Sequence, residues 1–431
     1  MPFWGSKSTP TKAESDASSN DATDPKNDPV AAASQAAGTA WLAGHLHHLT
    51  EDQEQKLEEF KKLCEQNGYY TPERDGEKAS HADATMLRFL RARKFDIDGA
   101  WGQFKDTEDW RRENAIESLY ENIEVDAYEA ARRMYPQWTG RRDRRGIPVY
   151  VFEIQHLNNK NMAAYKSTLS TETQQSSKVP ERLLRLFALY ENLLRFVMPL
   201  CSQLSRPNPE TPITSSNNIV DVSGVGLKQF WDLKGHMQDA SVLATAHYPE
   251  TLDRIFIIGA PSFFPTVWGW IKRWFDPVTT SKIFILSAAE VKPTLTNFMD
   301  PSSIPKQYGG DLDWKWGDVP NLDEEARQVV GALEAPAAEG ETKPSFIKGP
   351  VLFNDDTIEI LGKVNGESRK STLPAGTVAQ QGESAAAPVE KAAAQETPDA
   401  APEDEKVAAV QEDAAAALKS EAETATNTVA A

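Results

Sequence analysis

Four short runs of β-branched and aromatic residues recur along the middle of the chain: Pro148-Val-Tyr-Val-Phe-Glu-Ile154, Asn218-Ile-Val-Asp-Val222, Arg254-Ile-Phe-Ile-Ile258 and Lys282-Ile-Phe-Ile-Leu286. Each is too short for a helix and too continuously apolar for a strand with one wet face, so each is predicted to be a strand covered on both sides. Strands of that kind are joined by crossover connections, and helical patterns fill the gaps. Leu183, Phe187, Tyr190, Leu194 and Val197 fall on the inward face of a helix predicted over Val179–Leu204. Another helix is predicted over Leu227–His247. The alternation predicts an α/β domain with a mainly parallel sheet.

A small helical domain precedes it. Thr50 and Gln53 form a capping box ahead of Leu57, Phe60 and Leu63, and that helix ends near Gly68. Two more helices are predicted, over Asp83–Lys94 and from about Asp98 through Trp101, Phe104 and Trp110. The expected division is a tail over 1–40, a helical domain over 41–120, the sheet domain over 125–312, an extension over 313–370 and a second tail over 371–431. Within the extension, Gly349–Phe353 and Ile358–Leu361 are predicted to add a strand pair to the edge of the core. From 381 to the end there is no Phe, Trp or Tyr, and eleven acidic residues face three lysines. Such a stretch buries too little apolar surface to offset its ordering entropy and is expected to be disordered, as is the Ser- and Ala-rich start. The tails carry much of the net charge of −18, so that charge says little about the folded surface.

Several function classes find little support. Cys64 and Cys201 are too few for a disulfide framework and fit a reducing compartment. No apolar stretch approaches the ~18 residues of a membrane span, the longest being cut by Lys272 and Arg273. Met1-Pro2-Phe3 shows neither a signal-peptide core nor a myristoylation glycine and the final Thr428-Val429-Ala430-Ala431 no prenylated cysteine, so a cytoplasmic protein, transiently peripheral on internal membranes through its folded surface, is expected. Asp221-Val-Ser-Gly224-Val-Gly226 begins like a dinucleotide loop, but Gln229 stands where a third glycine is needed, and a tight turn is the better reading. His45, His47 and His48 have no cysteine or ordered carboxylate nearby and read as a partly exposed helix start, so no metal is expected. With no nucleophile elbow and no phosphate loop, the chain does not read as an enzyme.

The stretch Gly259–Pro277 is more telling. Phe264, Val267, Trp268, Ile271, Trp274 and Phe275 fall near one helical stripe, with Lys272 and Arg273 beside them. That pattern suits core packing and, equally, a bilayer interface, where rings settle and anionic lipid attracts cations. A helix serving both roles would be a lid over an apolar cavity. Arg141, Arg142, Arg144 and Arg145 surround Asp143 in what reads as a solvated loop ahead of the first strand. No aromatic residues interleave with it, so nucleic acid is not an expected partner.

Five dispersed motifs in order, Leu87-Arg-Phe-Leu-Arg-Ala-Arg-Lys-Phe-Asp96, Tyr135-Pro-Gln137, Tyr248-Pro-Glu250, Ala260-Pro261 and Asp276-Pro-Val-Thr-Thr-Ser-Lys-Ile-Phe-Ile-Leu286, give the chain its resemblance to a known family. Over roughly residues 50–312 it resembles the CRAL-TRIO lipid-binding family, and within it the fungal phosphatidylinositol transfer proteins of the secretory cytosolic-factor type. The resemblance implies a phospholipid cargo, no cofactor, a cavity over the sheet and a gate helix comprising Phe264, Trp268, Ile271, Lys272, Arg273, Trp274 and Phe275. It also implies a phosphatidylinositol headgroup site at Arg93, Lys94, Glu250, Thr279 and Lys282, a set whose cations and hydroxyl suit a phosphodiester and whose carboxylate accepts from inositol hydroxyls. Of the cluster that holds a second lipid in some members, Tyr150 and Ser216 match, whereas Thr139 and Asn218 depart from the pattern. The implied function is extraction and transfer of phosphatidylinositol with a transient membrane surface as partner. The alternative is a lipid sensor that presents its cargo to a lipid kinase or another protein.

Overall fold

The four apolar runs pair into one sheet, and a fifth strand that carries no apolar run joins them. The computed structural model describes residues 40–167, 181–274, 280, 282–336 and 345–378. Strand β1 (Gln137–Arg142) runs antiparallel to β2 (Pro148–Glu153), and β3 (Ser216–Asp221), β4 (Leu252–Ile258) and β5 (Ile283–Ile285) follow in parallel, in the spatial order β1-β2-β3-β4-β5. The register makes two faces. Val151, Ile219, Phe256 and Phe284 are neighbours across one, while Tyr150, Asn218, Ile255 and Ile283, then Phe152, Val220, Ile257 and Ile285, are neighbours across the other.

Helices α1 (Glu51–Gln66), α2 (Asp83–Ala92) and α3 (Ile97–Glu113) enclose a core of their own around Phe60, Met86, Leu90 and Phe104. The capping box at Thr50 forms as predicted. Helix α2 stops two residues before the predicted end, because Lys94 and Phe95 both adopt left-handed backbone with φ of 51° and 61°. Short helices α4 (Ile116–Asn122) and α5 (Val125–Arg132) lead into β1, and α6 (Asn159–Ser167) follows β2. The long inward-facing helix is three pieces, α7 (Glu181–Asn192), a π turn over Leu193–Val197 and α8 (Met198–Gln203). Helix α9 spans Leu227–His247 as predicted, α10 spans Phe264–Ile271, and α11 (Ala288–Phe298) packs Leu295 and Phe298 on the Phe256 face.

The extension departs from the expectation in two ways. Val351–Asn354 (β6) and Thr357–Ile360 (β7) do pair, but in a separate sheet whose Val351, Phe353 and Ile358 pack on Phe196, Val197 and Leu200 of the π turn and α8. The side-chain hydroxyl of Tyr120 donates to the Val351 carbonyl at 2.6 Å and accepts from its N–H at 3.1 Å, occupying the backbone positions another strand would need. The third strand of that sheet, Ser371–Pro374, lies beyond the expected boundary at 370; its Leu373 packs on the same core, an anchor too small for composition to reveal. Residues 1–39 and 379–431, which hold nearly all of the two expected tails, lie outside the described residues.

The arginine cluster is also not a solvated loop. Arg141 and Arg142 belong to β1, and Arg142 pairs at 3.0 Å with both Asp323 and Glu325 of the segment after the sheet. Arg145 is buried between Asp143 and Asp253, and Trp41 lies 5.0 Å over its guanidinium. Only Arg144, paired with Asp300, is at the surface. Burial lifts the Asp143 carboxyl above its usual range against the pull of Arg145, so these cations are committed to structure.

Candidate functional site

The sheet face bearing Tyr150, Phe152, Val220, Ile255, Ile257, Ile283 and Ile285 is apolar yet incompletely covered. Phe152, Val220, Ile255 and Ile283 are only half-buried, and Ile285 is 41% exposed. Helix α10 lies against this face, with Phe264 and Val267 buried and Trp268 stacked on Phe264. Helix α9 adds little cover, because Phe230 and Leu233 are its only buried residues. Along the parallel strands, then, runs an apolar floor with a short helix as a partial roof.

The polar end of this floor is where the strands begin. Glu250, two residues before β4, has a left-handed backbone with φ of 57°, uncommon for a residue with a side chain this long. Its carboxylate accepts from Arg91 Nη2 at 2.9 Å and from Lys282 Nζ at 3.5 Å, and Lys282 also donates to the Leu252 carbonyl at 3.3 Å. The structure thus brings together two of the five expected headgroup residues, Glu250 and Lys282. Arg93 and Lys94 stand exposed past the end of α2, and Thr279 lies outside the described residues. Next to the pair, burial alone would raise the Asp253 carboxyl, but Arg145 and Arg254 outweigh it and hold it below the usual carboxylate range.

Sequence reasoning misses Arg91. Arg88 and Arg91 are three apart, hence on one side of α2, and both reach the Tyr248-Pro249-Glu250 turn: Arg88 donates to the Pro249 carbonyl at 3.4 Å and Arg91 takes Glu250. Burial pulls the Arg91 guanidinium below its usual range, with Glu250 opposing. The same turn is held from its other end, where Tyr248 stacks on Phe187 and Tyr190 and donates to Glu191, itself gripped bidentately by Arg111 at 2.7 and 3.0 Å. The helical motif and the Tyr-Pro-Glu motif are therefore two halves of one contact. The spacing of Arg88 and Arg91 is the signal that could have found it.

Tyr150 and Ser216 lie on the floor side of the sheet, one strand apart, with Asn218 donating to Ser216 Oγ at 3.2 Å and Ser216 donating to the Thr251 carbonyl. Burial pushes the Tyr150 phenol well above its ordinary value, so it remains a neutral donor. On α10, the inward stripe is Phe264, Val267 and Trp268, which leaves Trp270 as the exposed ring of the helix, with Lys272 and Arg273 exposed after it. The side chains of Ile271 and Trp274, and Phe275 entirely, lie outside what is described. A separate cavity of about 560 Å³ lies away from the floor, between α2, α3, α7 and α8, lined by Arg88, Phe89, Arg111, Glu191 and Met198.

The remaining candidates resolve as turns. Asp221 accepts from the Ser223 N–H at 2.8 Å and Gly224 has φ of 72°, so the glycine-containing segment is a tight turn into α9. His45 is buried against the Leu42 carbonyl and His48 pairs with Glu210; among the described residues no His, Cys, Asp and Glu group is placed to hold a metal ion. Among them, too, no helix is long and apolar enough to cross a membrane.

Comparison with known proteins matches both halves of this arrangement. Residues 132–310 fit the model of the CRAL/TRIO domain and residues 56–106 that of the CRAL/TRIO N-terminal domain. The SEC14 cytosolic factor of Kluyveromyces lactis is 33% identical over 270 residues, covering 62% of this chain and 81% of that protein. The SEC14 cytosolic factor of Eremothecium gossypii is 34% identical, covering 63% and 80%. The phosphatidylinositol/phosphatidylcholine transfer protein SFH7 of Arabidopsis thaliana is 33% identical over 52% of this chain and 38% of its own length. With the helical layer and the sheet matched together, by family models and by relatives spanned over four-fifths of their length, the chain belongs to the CRAL/TRIO family.

Proposed function

We propose that the protein binds one phospholipid along the β2–β5 floor beneath α10, favours phosphatidylinositol and exchanges it with a membrane surface, without catalysing a reaction on it. The observation that carries this reading is the apolar row from Phe152 to Ile285, which folding leaves half-covered. A diacyl chain laid along it would bury methylenes worth about 0.8 kcal/mol each. At the strand starts, Lys282 supplies a cation for the phosphodiester and Glu250 an acceptor for inositol hydroxyls. Arg93 and Lys94, exposed at the end of α2, and Thr279 are proposed to complete the headgroup site, with Tyr150 and Ser216 for a second lipid. The names of the relatives, cytosolic factors and a phosphatidylinositol/phosphatidylcholine transfer protein, agree with the reading. Mass spectrometry of lipids co-purifying with the full chain tests it: about one phospholipid per protein, enriched in phosphatidylinositol, is expected, and a protein free of phospholipid after mild purification refutes it.

A further inference from the structure

The cavity between the helical layer and the sheet domain holds a charge that the lipid floor does not use. At its inner end two arginines meet one acid. Glu191 is buried and gives its oxygens to Arg111 and to the Tyr248 hydroxyl. Arg88, only 6% exposed, keeps one long bond to the Pro249 carbonyl, and among the described residues no carboxylate lies within ion-pair distance of it. Burial, then Arg111 and Arg91, lower its guanidinium to about 10, so it stays charged at neutral pH. A buried charge is costly unless paired, and two cations against one carboxylate leave one positive charge facing the cavity. Two more buried atoms of the wall, Arg195 Nη1 and the Thr214 hydroxyl, have no hydrogen-bond partner among the described residues. The other acids of the wall are engaged elsewhere. Asp83 pairs with Lys61 at 3.0 Å, Glu108 lies 3.5 Å from His81, and Glu117 and Asp355 are largely exposed beside Arg111 and Lys78.

The rest of the wall is apolar. Leu46, Phe89, Leu194, Met198, Ile213 and Phe353 line a space of about 560 Å³, inside the range of roughly 300 to 1,000 Å³ typical of organic-ligand sites. Phe353 belongs to the extension, outside the residues that fit the CRAL/TRIO domain. We infer that this cavity binds a fatty acid anion, with its carboxylate on Arg88 and its hydrocarbon chain against the apolar wall. One negative charge balances the one left open, and a planar carboxylate matches the guanidinium fork. A dianion such as a phosphate monoester would place a second charge near Glu191 with no cation to answer it. The site is separate from the lipid floor and stands whether or not the protein transfers phospholipid.

The test is titration calorimetry of the full chain with decanoate, with 1-decanol as the neutral control and urea unfolding to confirm that each variant is folded. About one equivalent of decanoate is expected to bind, at least tenfold more tightly than decanol. Arg88→Gln removes the charge and should weaken decanoate binding tenfold to hundredfold. Thr85, half-buried at the wall one turn before Arg88, provides a variant that leaves the charges alone: Thr85→Trp fills the cavity and should weaken binding at least tenfold, and it decides the matter if Arg88→Gln does not fold. Lys282→Ala, at the floor, should leave decanoate binding unchanged. The inference is overturned if the parent does not bind decanoate, if decanol binds as tightly, or if folded Thr85→Trp binds decanoate like the parent. Loss of decanoate in Lys282→Ala would place the anion on the floor and overturn it as well.

Discussion

Replacing Lys282 by alanine separates the proposed ligand role of this residue from its structural one. Its ammonium holds three donors, but its two contacts are long, 3.5 Å to Glu250 and 3.3 Å to the Leu252 carbonyl, and Glu250 is already satisfied by Arg91 at 2.9 Å. Because the pair is a quarter exposed on the lysine side, its loss should cost folding no more than about 1 kcal/mol. A bond from the ammonium to a lipid phosphate is charge-assisted and worth roughly 1.5 to 3 kcal/mol, or about a tenfold to hundredfold change in affinity. Equilibrium loading from vesicles containing phosphatidylinositol and phosphatidylcholine, read by mass spectrometry beside a urea unfolding curve, measures both quantities. Phosphatidylinositol occupancy should fall steeply while the unfolding midpoint barely moves and phosphatidylcholine loading persists. If the variant loads phosphatidylinositol like the parent, or if all lipid is lost along with stability, the ligand role assigned to Lys282 is wrong.

Other perturbations follow from the same contacts. Among the described residues, Arg91→Ala leaves Glu250 with only the long Lys282 contact, so stability in urea should fall by about 2 kcal/mol, between the values for exposed and buried pairs, unlike Lys282→Ala. Burial and then Arg91 lower the His45 pKa to about 3, so the folded state excludes a proton that the unfolded chain takes up near 6.5. The stability from this group is present above pH 6.5 and lost as pH falls toward 3, by roughly 2 kcal/mol between pH 7 and 5, and His45→Gln should flatten that slope. Truncation after 378 should leave the melting temperature unchanged, whereas truncation after 370 removes the strand Ser371–Pro374 and should lower it, as calorimetry would show.

The sheet and its long helices are legible because their signals are strong and local. Leu227–His247 is recovered to the residue, and each of the four apolar runs overlaps a strand. Strand β1 is invisible for the opposite reason: Gln137-Trp-Thr-Gly-Arg-Arg142 has no apolar run, and only pairing with β2 makes it a strand. The arginines around Asp143 look solvated because Asp253, Asp323 and Glu325, which neutralise them, are distant in sequence. At the site, the juxtaposition of Glu250 with Lys282 follows from the two positions opening adjacent parallel strands. Arg91 is hidden because the contact joins two domains, and a helix motif does not announce which of its cations points across. On α10, one apolar stripe is visible in sequence, but which rings remain outside depends on the sheet beneath.

Net movement of labelled phosphatidylinositol from donor to acceptor vesicles, catalysed by substoichiometric full-length protein, tests the central claim most directly. The account predicts transfer of many lipid molecules per protein, falling in Lys282→Ala by the same tenfold to hundredfold as loading does. A protein that binds the vesicles and carries lipid, yet moves no more phosphatidylinositol than buffer alone, would contradict it.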